Sequence, residues 1–385
     1  MARFLKDKQK SKGAAPGSLI FIGRQKMDYS CIRVTQYNAE YVKEGEVKAL
    51  DKISEYLSDD HVAWISVRGL QDTNLIGKLG KKFDISALIL EDILNTDERP
   101  KFIEDDKHLF VILKSLNFNR ELRKVQIDQI SLIVGKNYLI SIQETDNEYF
   151  EDVSKRIYAG QGKIRSLSSD YLCYAMIDTL VDNYILNIEK LGNVIEEQEK
   201  LLLTSGKELV ENIYHYKTEL SYVRNNVRPV KELMTRFVTC DSDLINDHTY
   251  NYLRDLEGLV TQALEAIEIY YTMLSDQQNS YNATISNNVN DIKEGPDDLF
   301  SYFHPPHLYR RSLRNEFRLY PFPQIPLCLF YPVGDHDRYR YPDAIFLQTE
   351  KMVLTAICFQ YTINKRLQGL GINFRTPFHL CNLCN

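Results

Sequence analysis

No stretch of this 385-residue chain reaches the ~20 consecutive apolar residues that cross a bilayer as a helix; the best, residues 327–333, is short and contains Pro332. Taken as written, the sequence is expected to be soluble. Residues 1–17 carry Arg3, Lys6, Lys8, Lys10 and Lys12 without an apolar segment, so a signal peptide is not expected and this end reads as a basic, disordered N-terminus. A surplus of positive charge is also missing. With 47 basic against 53 acidic residues and a net charge of -6, the chain has no global attraction for phosphate, and nucleic acid is not expected as a partner. Seven cysteines, an odd number without a framework spacing, point to a reducing compartment such as the cytosol. Serine, histidine and aspartate occur without an elbow motif, and Gly369-Leu370-Gly371 is too sparse for a phosphate loop, so no enzyme is expected. Cys381-Asn382-Leu383-Cys384 near His379 is half of a zinc site with no second pair.

What is present divides along the chain. Residues 18–165 mix short β-branched or alternating runs (18–22, 31–34, 62–67, 109–114, 129–134 and 138–142) with segments at 72–83 and 86–94 whose apolar residues are spaced at three and four. An α/β domain is expected there. From Ser169 the pattern becomes long helices: 170–203, then 208–237 broken or bent at Pro229, then 247 to about 290. These divide into a helical region over 166–246 and one long helix over 247–292. Leu253, Leu256, Val260, Ala263, Ile267, Tyr270 and Leu274 alternate steps of three and four, a seam for packing against copies of the chain or against the preceding helices. Beyond it, the amide-rich text 276–290 either frays the helix or faces a wet lumen.

Residues 293–385 do not continue this language. Nine of the twelve prolines and four of the seven cysteines fall here, without a period of 2 or 3.6. A shifted reading frame produces such text, and the genetic code tests the idea. If each new codon takes the last two bases of one written codon and the first of the next, Lys293 and Glu294 both become Lys or Arg, Asp297 becomes Met or Thr, and Met352 must become Trp. About 20 residues from Gly295 can then be rendered as an apolar run, Leu313-Arg314-Asn315-Glu316-Phe317 permits Tyr-Gly-Met-Asn-Phe, and a second apolar run follows before a basic end. The tail thus reads as a frameshifted replacement for two transmembrane helices; this frame contains none.

The text that survives resembles the cytoplasmic part of the CorA magnesium and cobalt transport family. It is carried by Leu90-Glu91-Asp92-Ile93-Leu94-Asn95 with Arg99-Pro100-Lys101, by Gln129-Ile130-Ser131-Leu132-Ile133, by Asp170-Tyr171-Leu172 with Ile177-Asp178 and Val181-Asp182-Asn183-Tyr184, and by Tyr252-Leu253-Arg254-Asp255. The resemblance implies a homopentameric channel for Mg2+, also Co2+ or Ni2+, held closed by cytoplasmic Mg2+ between subunits, with 166–246 as a helical layer and 247–292 as a stalk helix leading to the pore. Glu91, Asp92, Asp178 and Asp255 would be regulatory metal ligands, with Asp182 one turn from Asp178, and Asn287 and Asn288 would lie near the cytoplasmic end of the pore. The plainer reading of the same residues is that Glu91 and Asp92 cap or solvate a short helix and Asp178 and Asp182 form an exposed acidic stripe. The resemblance places the protein at the cell membrane with its bulk in the cytoplasm and with membrane lipid as a partner once the frame is restored. If the written frame stands, a cytoplasmic module that binds or senses divalent cations without transport is the alternative.

Overall fold

The computed structural model describes residues 11–47, 49–199 and 207–293. The frameshift reading of the tail, the half zinc site and the extreme N-terminus lie outside them. Seven strands, β1 (Cys31–Tyr37), β2 (Val42–Glu46), β3 (Val62–Arg68), β4 (Lys101–Glu104), β5 (Leu109–Asn119), β6 (Lys124–Val134) and β7 (Tyr138–Gln143), form one sheet in the order β2-β1-β3-β7-β6-β5-β4. Only the central β3–β7 pair is parallel.

The sheet is covered on both faces, and strict alternation assigns its side chains. In β5, Phe110 and Ile112 point to one face while Leu109, Val111 and Leu113 point to the other. The first face packs under α1 (Thr73–Phe83) and α2 (Ala87–Leu94) through Ile76, Leu79, Phe83, Leu90, Ile93 and Leu94. The second packs under α3 (Glu151–Ala159) and α4 (Ser169–Glu199). This is the α/β class with long helices that the patterning predicts.

Helices α5 (Lys207–Thr239) and α6 (Asp247–Lys293) complete the described chain. At 1.5 Å per residue the 47 residues of α6 make a rod of about 70 Å. Its seam residues Leu253, Leu256, Val260, Ala263, Ile267 and Leu274 are buried in one core with α4 and α5, so the seam serves the preceding helices rather than another copy.

One expectation needs correction and two others are narrowed. Residues 18–22 do not form a strand: Ile22 alone makes a bridge to Asn95, and Leu19 and Phe21 pack on the α1–α2 layer. Pro229 does not break its helix, because Val223, Val227, Val230, Leu233 and Phe237 continue one buried stripe across it and offset the single lost backbone bond. Nor does the amide-rich stretch fray α6: Gln277 turns inward, donating to Ile195 O at 3.1 Å, and Gln278 accepts from Lys217 at 2.7 Å.

Sequence motifs find structural work here. Beyond Ile112 the outer edge of β5 has no strand partner in the register, since β4 is only four residues long. Asn183 and Asn187 of α4 serve that edge: Leu116 N donates to Asn183 Oδ1 (3.2 Å), Phe118 N donates to Asn187 Oδ1 (2.7 Å), and Asn187 Nδ2 donates to Leu116 O (3.0 Å).

Candidate metal centre: two separated carboxylate groups

Helix α2 presents Leu90, Ile93 and Leu94 to the core, which leaves Glu91 and Asp92 facing outward in its last turn. Carboxylates there oppose the helix dipole, whose negative end they join. Capping therefore does not explain them, and each has another partner. Glu91 Oε2 accepts from the backbone N–H of Gly17 at 2.6 Å, which pins the N-terminal segment over α2. Asp92 Oδ2 lies 2.7 Å from Lys101 Nζ, which also contacts Glu98 Oε1 at 3.1 Å. Asn95 holds the other oxygen of Glu98 at 3.1 Å. Burial pushes the Asp92 carboxyl up, with the Lys101 ammonium pulling the other way.

The position of α2 is itself fixed from both sides. Gly80 of α1 faces Leu90, where an added Cβ would overlap the leucine side chain, so the two helices meet closely only because the residue is glycine. From the sheet, buried Gln129 donates to Ile93 O at 2.9 Å and accepts from Lys114 Nζ at 2.7 Å. The Gln129 motif thereby fastens the end of α2 and, with it, Asp92.

The second group stands on the helices. Asp178 and Asp182 are one turn apart on α4, and Asp255 is on α6 close enough to act on Asp178 electrostatically. Asp178 is half-buried; Asp182 and Asp255 are exposed. Burial first, then the charges of Asp182 and Asp255, push the Asp178 carboxyl up, opposed by Arg156 of α3. Beside them Tyr171, Tyr174 and Tyr252 form a ring triangle with centroids 5.1 to 5.3 Å apart, and Lys163 Nζ lies 5.9 Å from the Tyr252 ring. Asp170, one turn before Tyr174, accepts from Asn246 N, Asn246 Nδ2 and Thr249 Oγ1, fixing the start of α6 against α4.

The structure thus places Asp182 and Asp255 within electrostatic reach of Asp178, sets Glu91 and Asp92 side by side on α2, and sets Asn287 and Asn288 on the last turns of α6. Among the described residues no three acidic, histidine or cysteine side chains converge as a metal cage would require. The donors are hard carboxylate oxygens, the type suited to Mg2+ with water completing its shell. Sequence reasoning overlooked Lys101, Glu98 and Arg156 as parts of the site. The spacing of Glu98 and Lys101, three residues apart, was the one local signal available.

Among the described residues no helix is long and apolar enough to cross a membrane. The outer face of α6 is lined by Glu268, Ile269, Thr272, Asp276 and Ser280, and Ile269 is 62% exposed.

Comparison with known proteins shows the family and the fold. Residues 59–293 match the model of the CorA-like Mg2+ transporter protein family. The cobalt/magnesium transport protein CorA of Thermotoga maritima is 29% identical over 295 residues, 76% of this chain and 84% of that protein. Solved structures share the fold, two of them as follows. The complete CorA magnesium transporter of Methanocaldococcus jannaschii has a TM-score of 0.60 at 17% identity, covering 86% of this chain and 96% of that one. The soluble domain of the same organism's CorA has a TM-score of 0.53 at 18% identity, covering 64% and 95%.

Proposed function

Because this chain belongs to the CorA-like Mg2+ transporter protein family, we propose that its natural product transports divalent cations, Mg2+ and also Co2+ or Ni2+, across the cell membrane. The observation that carries this reading is the family match, which ends at residue 293, where the composition of the chain changes. That coincidence supports the view that residues 293–385 stand in a shifted frame for two transmembrane helices and a Gly-Met-Asn loop, so that the written chain lacks its pore. Resequencing the source DNA across the codons for Asn290 to Gly295 tests it. A one-base correction that joins Ile292 to the other frame is expected; confirmation of the written frame would leave only a poreless cytoplasmic module.

Regulation is read from the divided carboxylates. Glu91 and Asp92 on α2, and Asp178, Asp182 and Asp255 on the long helices, are each too few for a cage, and assembly of copies into a homopentamer would set one group against the other across a subunit interface. The exposed face of α6 around Ile269 suits that assembly. Opposed carboxylates repel one another unless a cation lies between them, so cytoplasmic Mg2+ would lock the subunits and its loss would free them. Asn287 and Asn288 would then meet at the cytoplasmic end of the pore. Resistance to proteolysis should rise with Mg2+ and lose that response when Asp92→Ala is combined with Asp255→Ala. An unchanged response in the double variant would remove the regulatory site.

A further inference from the structure

We infer that Lys101 is the resident cation of the Asp92 centre, and that a divalent ion must displace its ammonium group to bind there. The inference rests on the reading of Asp92 as a metal ligand and adds what occupies that ligand when the metal is gone.

Three observations lead to it. Lys101 Nζ contacts carboxylates from two different elements, Asp92 in the last turn of α2 at 2.7 Å and Glu98 in the following loop at 3.1 Å. The arrangement is fixed on every side. Asn95 orients Glu98, and Lys101 begins β4 immediately after Pro100, whose ring holds its own backbone φ. Finally, the ion pair is partly buried: the Lys101 and Asp92 side chains are 29% and 22% exposed. An ammonium held between two carboxylates already satisfies the charge a divalent ion would satisfy.

The consequence is competition. A divalent ion drawn to Asp92 meets a unit positive charge at hydrogen-bond distance from the same oxygen, and the two cations repel at such separations. Binding is an exchange in which Lys101 gives up Asp92 and keeps Glu98 as its partner. The lysine therefore raises the ion concentration needed to occupy the centre, and it spares the ion-free chain an unpaired, partly buried carboxylate.

The test uses the full chain, with Mg2+ alone as the probe and chymotrypsin as the protease, because it does not cut at lysine. Lys101→Met keeps most of the aliphatic stem and removes the charge; Lys101→Gln serves should the methionine variant fail to fold, and Lys101→Arg keeps the charge. The Mg2+ midpoint for protection is expected to fall about fivefold in Lys101→Met or Lys101→Gln, the upper range for release of a solvent-accessible ion pair, and to stay within twofold of the parent in Lys101→Arg. Asp92→Asn is run beside them. If Asp92→Asn loses the Mg2+ response while the neutral Lys101 variants show an unchanged or higher midpoint, the displacement mechanism is wrong and the metal reading stands. If Asp92→Asn keeps the parental midpoint, Asp92 is no ligand and the underlying reading fails with it.

Discussion

Asp170 holds the two long helices in register, and its removal should be among the most damaging single changes outside the hydrophobic core. The carboxylate is 1% exposed and lies in the first turn of α4, where the helix dipole favours negative charge. It accepts three hydrogen bonds from the start of α6: Asn246 N at 2.8 Å, Asn246 Nδ2 at 3.1 Å and Thr249 Oγ1 at 2.7 Å. Bonds to a charged acceptor contribute about 1.5 to 3 kcal/mol each, and three bonds on one side chain do not add fully. Asp170→Ala should therefore cost about 3 to 5 kcal/mol. Asp170→Asn keeps one acceptor oxygen and turns an NH2 group toward donors, so about 2 kcal/mol is expected. Urea unfolding followed by circular dichroism at 222 nm measures both, with equal slopes required for the comparison. An alanine variant within 1 kcal/mol of the parent would refute the argument that this buried carboxylate organises the α4–α6 joint.

Further outcomes follow from the same contacts. Asp178 has its carboxyl raised by burial and by Asp182 and Asp255, so the folded chain holds that proton more tightly than the unfolded one. Its contribution to stability is full below about pH 4, the ordinary aspartate range, and is lost as pH rises through the raised value. In chelator at pH 7, Asp178→Asn should melt above the parent, with the gap closing toward pH 4, and should gain less from Mg2+; a lower melting temperature at pH 7 would contradict this. Asn187, 5% exposed, accepts from Phe118 N and donates to Leu116 O, so Asn187→Leu strands a buried backbone donor and should cost about 2 to 3 kcal/mol in urea unfolding. A loss under 0.5 kcal/mol would mean the β5 edge is served otherwise.

The parts of the fold legible in the sequence are those where one period dominates. Strands β5 to β7 are rich in β-branched and apolar residues, in runs or in alternation, and the apolar spacing of α4 to α6 is regular over many turns, so both announce themselves. Residues 18–22 mislead because their apolar side chains are anchored by packing on α1 and α2 while the backbone finds only one bridge. Strand β2, Val-Lys-Glu-Gly-Glu, escapes because it is an edge with little to bury, and β4 because four residues carry no period. Pro229 shows the limit of local rules, since a continuous buried stripe outweighs one missing backbone bond. At the candidate site the carboxylates were legible only through the resemblance of their motifs. The groups that set their charge, Lys101 for Asp92 and Arg156 for Asp178, come from other elements, and no spacing along the chain connects Arg156 with Asp178.

How a small event at the carboxylates would be felt far away depends on the stiffness of α6. Asp255 lies near its beginning, and the helix runs a further 38 residues to Lys293, about 57 Å at 1.5 Å per residue. Between Leu256 and Gln277 a regular row of side chains is buried against α4 and α5. Gly192 of α4 allows the Tyr270 ring to approach where a Cβ would collide. Past Gln277 the described side chains turn to solvent, apart from partial burial at Gln278 and Tyr281, and the helix leaves the bundle with its backbone pattern intact. A rod so held would transmit a tilt along its length, because its packed side chains and its own hydrogen bonds both oppose a local kink. A tilt of about 2° at the Asp178–Asp255 contact would carry the far end by about 2 Å over that length. Shifts of that size between packed helices separate discrete conformational states in other proteins. Under the proposed regulation, a change in carboxylate repulsion that tilted α6 by this amount would move its Asn287–Asn288 end by about 2 Å.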